Sequence, residues 1–189
     1  MPERASETRG TASVDTESTG TGGTRFAGGP GESPGFVLWR VTGAWQRSMV
    51  SALAPLGLTH VQFVLLACAW WLGESGDAPH QARVAAQAGS DVKTASEVFA
   101  RLEAKGLVTR EADPADSRAK VVRVTARGEE LARRAVSVVE DADAAFFAPV
   151  DTDRLLPALR ILGEMERERA ISDRPAPDEP APESEAVDS

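Results

Sequence analysis

The chain is poor in the residues that most chemistry is built from. Its 189 residues include one cysteine, two histidines and no tyrosine, with six Phe and four Trp as the only aromatic rings. A single thiol, Cys68, excludes an internal disulfide. His60, Cys68 and His80 do not have metal-ligand spacing, and no metal or cofactor is expected. The glycines of the first 35 residues have neither a strand before them nor a helix after them, so they read as linker and not as a phosphate cradle. Acidic side chains pair with basic ones along helical faces instead of converging, so the chain is not read as an enzyme. Long apolar runs are missing too. The longest, Phe63–Leu72, falls short of the roughly 18 residues a membrane helix needs, and the first residues lack a charged-then-apolar leader pattern. No membrane partner is expected, and the predicted location is cytoplasmic.

Positive charge is also scarce, 21 Lys and Arg against 29 Asp and Glu, but the deficit is uneven. Residues 173–189 hold 1 basic and 6 acidic residues, residues 1–32 hold 3 and 5, and residues 81–134 hold 11 and 8. The middle of an acidic chain is therefore locally basic, which fits a few focused phosphate contacts as well as it fits an ordinary mixed surface. Residues 1–35, rich in Gly, Thr and Ser, and residues 173–189, alternating Pro, Ala and acid, carry too little apolar surface to offset the entropy of ordering. Both are predicted to be disordered tails around a domain over 36–172, long enough for a compact helical core.

Within that domain, Leu38, Val41, Trp45, Met49, Ala52 and Leu56 recur at three- and four-residue steps and predict a helix over Phe36–Leu56. Thr59 with Gln62 predicts a capping box opening a second helix, apolar nearly all round and therefore central. From Gln81 to Gly128 the pattern is two short helices about Gly89, then strands Leu107–Glu111 and Ala119–Val124 around an Asp-Pro turn. Asp91 is placed to cap the second short helix, Ala95, Val98 and Leu102 to face inward, and Gly106 to end it. Thr125 opens a helix of over 20 residues, and Asp151–Thr152 restart a last one bearing Leu155, Leu156, Leu159, Ile161, Leu162 and Met165. The fold class is mainly α with a small β-hairpin wing: a winged helix-turn-helix (60–128) flanked by N- and C-terminal helices (36–56 and 129–170). Those flanking helices have apolar stripes without an obvious partner inside the chain, which a symmetric homodimer would supply.

A recognition helix reads the major groove with its first outward residues. Here these are Val92, Lys93, Thr94, Ser96 and Glu97, with Ser90 just before and Arg101 a turn beyond. Lys93 suits guanine, Val92 or Thr94 a thymine methyl, Ser96 a base edge or phosphate, and Glu97 a cytosine amine. Glu97 is read equally well as a surface partner of Arg101 at i+4. At the wing, Arg118 has the reach to enter a minor groove and Lys120 to support it, while Asp113 and Asp116 brace the hairpin.

Three stretches together resemble the MarR family of transcriptional regulators: GLTHVQFVLL, AAQAGSDVKTASEVFARLEAKGLV, and READPADSRAKVVRVTARG with its Asp-Pro-x-Asp-x-Arg and Thr-x-x-Gly. The resemblance covers about 36–170. It implies a homodimer that binds a short pseudo-palindrome in double-stranded DNA, usually as a repressor and often released by a small ligand. The family often carries two adjacent arginines at the wing tip; here the first is Ser117. The peroxide-sensing branch uses a cysteine hydrogen-bonded by tyrosines, which this chain lacks, so Cys68 reads as packing. Trp39, Trp45, His60 and Phe63 are the candidates for an aromatic ligand cleft, their other reading being core or interface packing. The competing function is a winged helix used for protein contact without specific DNA binding.

Overall fold

Helix α1, Pro34–Leu53, starts where Ser33 accepts a hydrogen bond from the Phe36 amide, with proline at its first position. The structure is a computed structural model that describes residues 25–113 and 119–172, with side chains to 165. The helix begins two residues earlier than the periodicity suggests and ends three residues sooner, because Ala54–Leu56 tighten into a 3-10 turn around Pro55. Gly57, left-handed at φ 66°, turns the chain into α2, His60–Gly73. The capping box is present, with Thr59 and Gln62 each satisfying the other's backbone amide at 3.3 Å.

Helix α3, Gln81–Gln87, and α4, Val92–Ala104, meet at Gly89, whose φ of 63° is the reason for glycine there. Gly89 itself is exposed, and the packing between the two helices comes from Val84, Ala85, Ala95, Val98, Phe99 and Leu102. Strands β1, Val108–Ala112, and β2, Lys120–Val124, pair antiparallel with Val108 opposite Val124 and Ala112 opposite Lys120. Each lies within a residue of the predicted bounds. A contact not foreseen adds a third stub to this sheet: His80 bridges Val121, and the Pro79 carbonyl accepts from the Val122 amide at 2.9 Å.

Thr125 caps α5, Ala126–Phe147, by accepting from the Gly128 amide. The core fills the space between the C-terminal end of α1, α2, α3, α4, the hairpin and the first half of α5, with Phe99, Met49, Leu53, Leu65, Leu66 and Leu102 fully buried. Helix α2 is less enclosed than its composition suggests, since Trp71 is 61% exposed. Helix α6, Thr152–Ser172, contains Pro157 and leaves Leu156, Leu159, Ile161, Leu162 and Met165 exposed. Phe36, Val37, Leu38, Trp39 and Val41 on α1 are exposed as well. No single helix among the described residues is long and apolar enough to cross a membrane; α1 and α2 pass that test only as a pair bent by 74°.

Candidate nucleic-acid interface

The first turn of α4 is held by Asp91, whose carboxylate accepts from the Thr94 amide at 2.8 Å. Those hydrogen bonds from Thr94 keep its carboxyl below the usual range, so its negative charge is tied up in the helix start. With Ala95, Val98, Phe99 and Leu102 inward, the opposite face presents Val92, Lys93, Thr94, Glu97 and Arg101 to solvent. Val92, a β-branched apolar residue, is 56% exposed in that turn. Among the described residues no ion pair joins Glu97 to Arg101, so the surface-pair reading of Glu97 finds no support. Ser90 and Ser96 are half-buried: the Ser90 hydroxyl donates to the Asp91 carbonyl, and the Ser96 carbonyl accepts from Arg110 at 3.3 Å.

Arg110 went unnoticed in the sequence and is the best-connected charge in this region. Its guanidinium donates twice to Glu103 Oε2, at 2.7 and 2.9 Å, while its amide donates to Glu103 Oε1. Through Ser96 and Glu103 it fastens β1 to α4 and holds the Glu103 carboxyl below the usual range. Strand alternation places Arg110 on the same face as buried Val108, where a guanidinium needs a carboxylate, and that was the available signal. Lys105 has a structural task as well, donating to the Gly57 carbonyl at 2.7 Å and to buried Gln62 at 2.8 Å. At the wing, Lys120 is exposed, Arg123 pairs with Glu111 at 3.7 Å, and the Asp113 amide donates to the Ala119 carbonyl. Asp116 and Arg118 lie outside the described residues.

The four candidate ligand residues do not come together. The Trp45 indole N–H donates to Asp143 at 2.6 Å, and its ring meets His60 edge-on at 5.0 Å. Burial lowers the His60 pKa, and Asp143 only partly opposes this. Phe63 is partly buried and packs against the core. Trp39 is elsewhere, 70% exposed against Phe36 on the wall of a groove with Arg40, Arg47 and Phe146. Six residues along a helix is about 240° of turn, so Trp39 and Trp45 cannot share a face. Cys68 is half-buried and burial pushes its thiol up, as a packing role requires.

A helix pair joined at a left-handed glycine, a recognition helix braced by the wing, and apolar flanking helices are the parts of a DNA-reading winged helix. The family model for the MarR family matches residues 58–120. The chain is 41% identical over 120 residues to the uncharacterised HTH-type transcriptional regulator YdcH of Bacillus subtilis, covering 64% of this chain and 82% of that protein. The chain belongs to the MarR family. A second member, the HTH-type transcriptional repressor Rv2887 of Mycobacterium tuberculosis, is 36% identical over 114 residues, covering 60% of this chain and 79% of its own. Among solved structures, CouR from Rhodococcus jostii RHA1 bound to p-coumaroyl-CoA matches with a TM-score of 0.59 at 26% identity, over 79% of this chain and 98% of that one. This MarR-family chain is thus a transcriptional regulator and not an enzyme.

Proposed function

We propose that the protein is a homodimeric, sequence-specific reader of double-stranded DNA that acts in the cytoplasm as a repressor and is released by a small aromatic ligand. In this reading, residues 60–128 form the reading head, 36–56 and 129–170 the dimerisation helices, and 1–35 and 173–189 the tails. One observation carries it: the outward face of α4 is solvent-exposed at Val92, Lys93, Thr94, Glu97 and Arg101, while the acidic cap beside them is committed to the helix. Ser90 and Ser96 flank that face, and Lys120 with Arg118 supplies the wing. A dimer brings two such helices to successive major grooves, about 34–36 Å apart. The effector reading rests on CouR, whose structure holds p-coumaroyl-CoA, and on the half-buried pair of Trp45 and His60 at the junction of α1, α2 and α5.

The test is selection of duplexes by the purified protein from a random-sequence library, followed by titration at two salt concentrations. A pseudo-palindromic consensus whose affinity falls steeply with salt is expected. Lys93→Ala and Thr94→Ala should each alter the preferred bases, at about 1–3 kcal/mol per contact, whereas Arg118→Ala should weaken binding several-fold whatever the sequence. Failure to enrich any sequence at low salt would sink the DNA-reading proposal in favour of a protein-contact module.

A further inference from the structure

We propose that Lys105 is a positioning residue of the reading head: its amino group fastens the end of the recognition helix to the elbow between α1 and α2, and so fixes the half-site spacing that the dimer accepts. The spacing consequence rests on the dimeric DNA-reading function proposed above.

The chain joins the reading head to the long flanking helices twice, and both joints bear on the last residues of α4. Between Leu56 and His60 it turns by 74° from α1 into α2. Lys105, the C-cap of α4, donates from Nζ to the Gly57 carbonyl in that turn at 2.7 Å and to Gln62 Oε1 in the first turn of α2 at 2.8 Å. At the other joint the Thr125 hydroxyl donates to the carbonyls of Gly106 and Leu107 at 2.9 and 3.2 Å. The relation of α4 to both dimerisation helices is therefore set at residues 105–107. Thr125 also caps α5, so its loss would loosen that helix as well. Lys105 is exposed, and among the described residues no carboxylate lies within ion-pair distance of it, so its amino group serves the elbow alone.

What Lys105 adds is direction. Leu53 and Leu58 beside the elbow, and Leu102 and Leu107 beside Lys105, are buried in one core and hold these parts together by apolar contact, which has no preferred angle. A hydrogen bond weakens steeply off its line, so two from one nitrogen restrain the orientation of α4 against the elbow. Gln62 Oε1 also accepts from the Thr59 amide at 3.3 Å, which fills its two lone pairs and ties the cap of α2 into the same junction. Beside these bonds lies a cleft of about 450 Å³, lined by Leu56, Leu58, Ala104, Arg127 and Leu131 among others, so elbow and helix have room to shift once Lys105 is removed. In a dimer each reading head hangs from such an elbow. Moving a half-site by one base pair displaces it about 3.4 Å along the duplex and about 35° around it, a step that two loosened elbows can share.

Hydrogen–deuterium exchange of the free protein tests the junction without DNA. Lys105→Met keeps the length of the side chain and loses every donor, whereas Lys105→Arg keeps donors. Peptides covering 57–62 and 101–107 should exchange several-fold faster in Lys105→Met than in wild type, with Lys105→Arg close to wild type and the packed centre of α2 unchanged in all three. Equal exchange in wild type and Lys105→Met would overturn the proposal. The DNA arm uses duplexes built from half-sites that the wild type selects, spaced as selected or with one base pair added or removed. Wild type should lose about ten-fold in affinity at a wrong spacing and Lys105→Met about three-fold or less, with the same base preference inside each half-site. Equal spacing penalties would overturn the link from elbow to operator, and so would a uniform loss on every duplex, which would make Lys105 a phosphate contact. Failure of the wild type to select any duplex would count against the DNA-reading function itself, while the exchange measurement would still decide whether Lys105 holds the elbow.

Discussion

Gly128 shows how a single atom can decide a position. A Cβ there would stand 2.0 Å from the Leu107 carbonyl oxygen and 2.9 Å from a Val124 methyl. That carbonyl cannot retreat, because it accepts from both the amide and the hydroxyl of Thr125, the residue that caps α5. Alanine in place of glycine inside a helix ordinarily gains up to about 1 kcal/mol. Gly128→Ala should instead lose about 3 kcal/mol as overpacking forces strand and helix apart. Urea unfolding measures this, and an unchanged or raised midpoint would contradict the packing described. The sequence shows the Thr-x-x-Gly pattern but not this reason for it, because the carbonyl in question lies 21 residues earlier in the chain. Caps were legible for the opposite reason: Thr59 with Gln62, Asp91 with Thr94 and Thr125 with Gly128 are each three residues apart. Trp39 and Trp45 fall on different faces of α1, a separation that helical phase alone gives.

Between elements, the angle of recognition helix to wing depends on Arg110 and Glu103, seven residues apart across a tight turn. Existence and order of the helices and strands follow from periodicity and punctuation, but the way one element is fastened to the next does not, because it depends on which strand face ends up inward. Arg110→Ala should free that angle and lower stability by roughly 1 kcal/mol, two charge-assisted bonds onto one Glu103 oxygen discounted for partial exposure. The pH dependence has a definite sign. Glu103 is held below its ordinary value by Arg110, so the stability it contributes is fully present above that ordinary value, about 4.3, and is lost as pH falls through the lowered one. Thermal unfolding from pH 7 down to about 3 should therefore show a steeper fall for wild type than for Glu103→Gln. Parallel curves would show that the pair contributes nothing measurable.

At the scale of the molecule, the deciding feature is a helix with nothing to lean on. Helix α6 buries none of its described side chains, and at its sixth position Pro157 removes a backbone hydrogen bond, a change that costs on the order of 3 kcal/mol in a helix interior. A helix of 21 residues with that defect is not expected to persist in water by propensity alone. The exposed Leu156, Leu159, Ile161, Leu162 and Met165, together with Phe36, Val37, Leu38, Trp39 and Val41 of α1, are the surface that would repay it. Each such side chain fully removed from water contributes about 1.5–3 kcal/mol before the costs of association. An isologous contact covers both helices of both copies at once. Leu159→Glu with Leu162→Glu, three residues apart on one face, would place two charges in that seam. Sedimentation at micromolar concentration should show a dimer for wild type and a monomer for the double variant, with α6 helicity reduced by circular dichroism. The monomer should bind a full duplex no more tightly than a half-site, because the second copy no longer doubles the contacts. A double variant that still sediments as a dimer would place the interface somewhere other than α6.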